Sequence, residues 1–220
     1  IKTKAIFLSN KWRSFIFLNI NIVIRSTLLQ SVFLSYLIFG TLLGSEILAA
    51  NHILLQITLL SAHALDGVAF SSEILVGEAI GQRRVQQYKK VVRSALKIGF
   101  IFSCIIGISF FFLGFLLIDS LTSIEPVRLI CYDFIFWISI MPIVSAFSYI
   151  YDGIFLGAAR GKEIRVSMIQ SFSIFFICII VLVPLMENRG LWTSILVFNA
   201  VRAITLWTKL ERIQESFSSN

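Results

Sequence analysis

Six long apolar runs, separated by short clusters of charge, organise this 220-residue chain. A helix crossing a bilayer needs about 20 mostly apolar residues. Runs over about 22–43, 48–79, 95–118, 128–156, 164–185 and 190–208 meet that length. Hydrocarbon offers open backbone amides no partner, so each run is expected to close its hydrogen bonds within itself as an α-helix. The predicted fold class is an all-α membrane protein whose six transmembrane helices pack as one lobe. Residues 1–20 read as a cytoplasmic lead-in, 21–212 as the six-helix unit and 213–220 as a cytoplasmic tail.

Composition strengthens this reading. The chain is 57% hydrophobic and 14% charged, with 21 Phe, a balance foreign to soluble domains of this size. Most of the 19 Lys and Arg fall at one set of ends. They lie in residues 1–25, in the connection from Arg83 to Lys97, at Arg160, Lys162 and Arg165, and at Lys209 and Arg212. The opposite connections carry Arg128 and Arg189 beside Glu46, Asp119, Glu125 and Glu187. The positive-inside rule therefore predicts a multi-pass protein of the cell membrane with both termini in the cytoplasm. The net charge of +7 reflects topology, and the partner it implies is a lipid bilayer rather than nucleic acid. The basic stretch Val85 to Lys97 is expected to lie along the headgroups.

Catalytic patterns are missing from the sequence. Cys104, Cys131 and Cys178 lack metal-ligand spacing and read as small core hydrophobes. No Gly-rich phosphate loop, nucleophile elbow or zinc-protease motif occurs. The chain is accordingly not read as an enzyme, and no metal or organic cofactor is expected.

The candidate chemistry lies in ionisable groups inside the apolar runs, which are costly there and functional by default. Asp-Gly occurs twice, at Asp66-Gly67 and Asp152-Gly153. Asp66 and Glu73 fall on one face of the second run, roughly 10 Å apart along a helix axis, and that run is expected to line a polar path. The bland alternative has Glu73 and Glu78 marking only the end of the span, and Asp152 pairing with Arg160 or Arg165 near the surface. His63, three residues before Asp66, is placed to share its hydrogen bonds; otherwise it is a packing histidine, as is His52. Asn51, Gln56, Gln30 and Asn199 are expected to bond between helices. Gly67, Gly77 and Gly81 are expected to allow close helix contacts, and Pro142 a kink. Arg25 is expected to snorkel to the surface; Arg202 either snorkels or neutralises Asp66, Glu73 or Asp152.

Four stretches resemble one known family in residue and order. They are Asn21-Ile-Val-Ile-Arg25-Ser-Thr-Leu-Leu-Gln30, Leu48-Ala-Ala-Asn51-His-Ile-Leu-Leu-Gln56, Leu65-Asp66-Gly67-Val-Ala-Phe with Glu73 and Val76-Gly77-Glu78-Ala-Ile-Gly81, and Asp152-Gly153-Ile-Phe-Leu-Gly157-Ala-Ala-Arg160. The family is the multidrug and toxic compound extrusion (MATE) transporters, and the pattern is most similar to the DinF-like branch. The resemblance implies two six-helix lobes, of which these runs correspond to helices 7 to 12. It also implies a secondary antiporter that exports organic cations or amphipathic compounds in exchange for H+ or Na+, without ATP. The helix said to carry the coupling Asp of the DinF-like branch belongs to the other lobe. The acid that the NorM-like branch places on helix 7 has no counterpart between Asn21 and Gly44.

On this reading Asp66 and Glu73 are the principal transport or coupling candidates and Asp152 a further one, with Asn51, Gln56, His63, Gly67, Pro142 and Arg202 supporting. The expected partners are small organic substrates and an N-terminal lobe, in the same longer chain or a separate one. A chain starting at Ile1 with one lobe reads as a portion of a longer protein, or as a half-transporter. Two other functions fit less of the pattern: a non-transporting membrane scaffold or partner subunit, and a lipid-linked oligosaccharide flippase of the wider superfamily, whose cavity would need more basic groups than Arg25 and Arg202.

Overall fold

The computed structural model describes residues 10–215 and Phe217. Its elements are α1 (Asn10–Leu42), α2 (Ser45–Gly81), α3 (Val85–Leu121), the short α4 (Glu125–Asp133), α5 (Ile135–Gly157), α6 (Gly161–Trp207) and a final turn of helix, α7 (Glu211–Glu215). No strand occurs among the described residues, and five helices are long and apolar enough to cross a membrane. The fifth, α6, is divided in two. Its backbone leaves helical geometry at Glu187, with φ 50° and ψ −127°, so the runs expected at 164–185 and 190–208 are two arms joined at a sharp break. Pro184 precedes the break, and a Cβ at Gly190 would collide with the Leu182 carbonyl. That approach of backbone to backbone explains why a glycine follows the corner.

Two element boundaries differ from expectation. The run expected over 128–156 divides at Phe134, leaving α4 as a separate short helix begun by Pro126 in its first turn and followed by α5. Proline suits a helix start because its missing N–H would lack an acceptor there anyway. At the chain's beginning, α1 already starts at Asn10, within the stretch read as a lead-in, while 1–9 and the end of the expected tail lie outside the described residues. The end of α3 is tied to α4 by a hydrogen bond from the Tyr132 hydroxyl to Asp119, and Arg128 lies 3.6 Å from the same carboxylate. The bond to Asp119 holds the Tyr132 phenol above its ordinary pKa.

The apolar interior forms two clusters along the bundle. One, toward the Glu187 corner, joins Val32, Leu54, Phe110, Ile138, Phe175, Trp192 and Phe198. The other, toward the basic end, joins Val76, Tyr88, Ile150, Phe155, Ile164 and Leu206. Large apolar side chains such as Phe112, Leu116, Ile177 and Val181 face outward, as a lipid-solvated surface requires.

α2 and α5 cross at backbone contact. A Cβ at Gly153 would run into the Ala69 carbonyl, and one at Gly157 into the Glu73 carbonyl. The G-x-x-x-G spacing places both glycines on one face of α5, where small residues let helices approach in the absence of a hydrophobic drive. The contact expected from Gly67 is thus made by the partner helix: a Cβ at Gly67 or Gly81 would meet nothing within 4 Å, and of the three only Gly77 adjoins the seam, where a Cβ would lie 3.4 Å from the Gly157 carbonyl. α5 stays helical through the buried Pro142, and the broken helix is α6 instead.

Candidate functional site

A polar layer lies where the two apolar clusters meet. From α5 it takes Ser145, Ser148 and Asp152, and from the second arm of α6 Asn199 and Arg202, all buried. Ser148 donates to Asn199 Oδ1 at 3.2 Å, a bond between helices that satisfies both groups away from water. The layer centres on Asp152, whose side chain is 4% exposed. Its Oδ2 accepts from Arg25 Nε at 2.9 Å and Nη2 at 2.5 Å, and from Arg202 Nη2 as well.

This cluster corrects two expectations. Arg25 points inward from α1 to Asp152 rather than snorkelling, and Asp152 pairs with arginines far along the chain rather than with Arg160 or Arg165; Arg160 instead lies 3.7 Å from Glu163. Of the options for Arg202, the structure takes the ion pair with Asp152. Two guanidinium groups around one carboxylate satisfy the charge of Asp152 and leave Arg202 incompletely bonded: Arg202 Nε and Nη1, and Asp152 Oδ1, are buried without a hydrogen-bond partner. The Arg202 guanidinium also lies 5.8 Å from the Tyr149 ring centroid and 6.0 Å from that of Phe198, within cation–π range.

Arg202 and Arg25 form part of the wall of a cavity of about 230 Å³. α2 supplies Thr58, His63 and Asp66 to the same wall, and Leu29, Phe33, Leu59 and Ile195 make much of the rest apolar. Asp66 has no hydrogen-bond or ion-pair partner among the described residues. The cavity thus holds an unpaired carboxylate on one helix and an incompletely bonded guanidinium on another. Sequence spacing alone had joined Asp66 to Glu73, but these separate. Glu73 is half-exposed and outside the cavity, while its backbone forms the seam with Gly157. His63 shares the cavity with Asp66, and Gln56 is exposed on the outside of α2.

Asn51 belongs to another place. Near the Glu187 corner, its amide exchanges hydrogen bonds with Asn188 at 2.7 and 3.0 Å, and Trp192 Nε1 donates to Asn51 Oδ1 at 3.0 Å. The three buried side chains pin α2 to the start of the second arm of α6. Asn188 and Trp192 were not singled out in the sequence, and only their position just after Glu187 could have drawn notice. No group of three or more His, Cys, Asp or Glu able to hold a metal occurs among the described residues.

α2 turns a partly polar face outward. His52, Gln56, His63, Gly67 and Ser71 are exposed and recur at steps of four and seven, the helical spacing of a single stripe. Leu60, Phe70 and Ile74 are exposed on the same face, so it mixes apolar side chains that lipid solvates with polar ones that it solvates poorly.

The family model MatE matches residues 22–185. The chain is 33% identical over 195 residues to DNA damage-inducible protein F of Escherichia coli (strain K12), covering 89% of this chain and 42% of that relative. Its fold superposes on a crystal structure of MATE in the bent conformation with TM-score 0.82, at 17% identity, over 96% of this chain and 48% of that one. A multidrug resistance MATE family transporter of the MOP superfamily in an outward-facing conformation gives TM-score 0.79 at 16% identity, over 96% of this chain and 49% of that one. The chain spans about half the length of the relatives it matches, corresponding to a C-terminal half.

Proposed function

The chain belongs to the MATE family of membrane transporters, and on that premise we propose that it forms the C-terminal lobe of a secondary antiporter. That antiporter exports organic cations or amphipathic compounds in exchange for H+ or Na+, and an N-terminal lobe completes its pathway. The observation that carries this reading is the Asp66 cavity, whose wall includes His63, an exposed polar side chain of α2. An unpaired carboxylate and an exposed histidine are costly in hydrocarbon, and a second lobe with water between the two gives them a polar surrounding.

Within the lobe, Asp66 is the coupling candidate, because its carboxylate has no partner to satisfy and is free to exchange a cation. Asp152 is the less mobile of the two acids, held by Arg25 and Arg202. In this arrangement both termini are cytoplasmic, with the basic loops of the positive-inside pattern on that side of the cell membrane.

The test is transport of a fluorescent organic cation by proteoliposomes carrying the chain, alone and with a separately expressed N-terminal lobe, under an imposed proton or sodium gradient. Gradient-driven movement that needs both lobes and falls in Asp66→Asn is the expected result. Coupled transport unchanged in Asp66→Asn removes that residue from the mechanism. Transport in neither arrangement favours the scaffold or partner-subunit reading.

A further inference from the structure

We propose that the groove between α2 and α3 at the basic end of the bundle holds the phosphate of one anionic phospholipid from the leaflet on that side. The lipid is then a bound ligand of this lobe, separate from the bilayer that solvates it and from any transported compound.

Depth places the groove. α3 is 37 residues long, about 55 Å at 1.5 Å per residue, against a hydrocarbon core of about 30 Å. Its uncharged stretch from Ile98 to Ile118 is long enough to fill that core. The basic stretch Val85 to Lys97 continues the same helix without a break, so it stands up through the headgroup layer instead of lying flat along it. Beside it runs α2, and between the two helices opens a groove of about 360 Å³. Val68, Leu75, Val91 and Ile98 make much of its wall apolar, while Lys90 and Ser94 are polar. Lys90 marks the end nearer water and Ile98 the end nearer hydrocarbon, which is the polarity gradient of a phospholipid.

Charge identifies the occupant. Arg83, Arg84, Lys89, Lys90, Arg93 and Lys97 are all exposed, and none makes an ion pair or side-chain hydrogen bond among the described residues. Arg25, Arg128, Arg160 and Arg202, by contrast, each have a carboxylate. Against the six cations this end of α2 offers Glu78, bonded to Gln82 at 2.9 Å, and Glu73, at the crossing with α5. The surplus is positive, and basic clusters of this kind attract anionic lipid.

Lys90, Ser94 and Lys97 follow one another at steps of four and three, a single ridge of α3. The Ser94 hydroxyl, too, has no partner among the described residues. Two ammonium groups with a free hydroxyl between them suit a phosphodiester, which carries one negative charge and only acceptor oxygens. Lysine is a compact point charge on a flexible stem, so the ridge selects the charge of the lipid and not the alcohol esterified to its phosphate.

The purified chain in a neutral detergent would be titrated with dioleoyl-phosphatidylglycerol, dioleoyl-phosphatidylcholine and inorganic phosphate. Bound lipid is counted by native mass spectrometry, and thermal unfolding of each variant is followed in parallel. One phosphatidylglycerol is expected to bind about tenfold more tightly than phosphatidylcholine, and Lys90→Gln to weaken it about fivefold. Lys162→Gln, which removes an exposed cation outside the groove, should leave binding unchanged. Ser94→Phe keeps every charge but fills the groove, and should weaken phosphatidylglycerol as well. The proposal is overturned if phosphatidylcholine binds equally, if Lys162→Gln weakens binding as much as Lys90→Gln, or if a folded Ser94→Phe binds normally. Displacement of the lipid by equimolar inorganic phosphate, or by a separately expressed N-terminal lobe, overturns it too: the first would mean a free-anion site and the second a face between lobes.

Discussion

Asp152→Ala should be among the most destabilising single changes in the polar layer. The carboxylate is 4% exposed and faces two arginines, of which Arg202 is 1% exposed and Arg25 20%. Removing one partner of a buried pair leaves an uncompensated charge, at a cost of about 3–5 kcal/mol. The better-solvated Arg25 can recover part of its share by turning its long stem toward the surface, which leaves Arg202 as the source of most of the loss. A protein of this size shifts its Tm by about 2–4 °C per kcal/mol, so the expected fall is roughly 10 °C.

The internal control is Glu163→Ala. Its partner Arg160 stands 3.7 Å away, one turn earlier on the chain, with a side chain 34% exposed, and such a pair is worth about 0.3–0.5 kcal/mol. Both variants would be followed by thermal unfolding in the same detergent, monitored by intrinsic fluorescence and helical circular dichroism. A third, Asp152→Leu with Arg202→Leu, removes the stranded charge and should regain much of the loss, because an apolar replacement of a buried pair is often neutral. If Asp152→Ala costs no more than Glu163→Ala, the arginine cluster does not bear on stability and the account of the polar layer fails.

Glycine positions give an independent check on the seam. Gly157→Leu should lower the Tm strongly by forcing α5 off the Glu73 carbonyl, whereas Gly67→Ala, with open space around it, should be neutral or gain up to about 1 kcal/mol from helix propensity. Asn51→Leu leaves Asn188 and the Trp192 indole N–H without their acceptor. It should cost about 1–3 kcal/mol, read by thermal unfolding, with a change in Trp192 fluorescence as the local signature. Asp66→Asn should leave the Tm unchanged within error while abolishing ion-coupled transport in the two-lobe proteoliposome assay. A large stability loss in that variant would place Asp66 among the structural groups.

Helix number and class were legible because length and hydropathy are one-dimensional properties, and a bilayer converts them directly into spans. Direction around a helix axis is harder to read when nearly every side chain is apolar, and the errors gathered there. Arg25 reads as a snorkelling cation and Arg202 as either that or the partner of an acid, Asp152 among them; both converge on Asp152 from helices far apart in sequence. Close helix contact was expected of Gly67, but it is at Gly153 that a Cβ would strike the Ala69 carbonyl, while Gly67 faces open space. Asp66 and Glu73 share a helical phase, but the crossing of α5 covers one position's backbone and leaves the other beside a cavity. The split of α4 from α5 and the corner at Glu187 depend on local dihedrals, which hydropathy does not record.

The glycine seam also has a mechanical meaning. Where two backbones touch, no flexible side chain lies between them to absorb a displacement, so α2 and α5 behave as one lever. Asp66 rides on one half of that lever and Asp152 on the other. A backbone displacement that changes the distance from Asp66 to the arginines must then come from α1 or from the second arm of α6, which carry Arg25 and Arg202. Those two helices are the adjustable jaw, and α2 with α5 is the anvil.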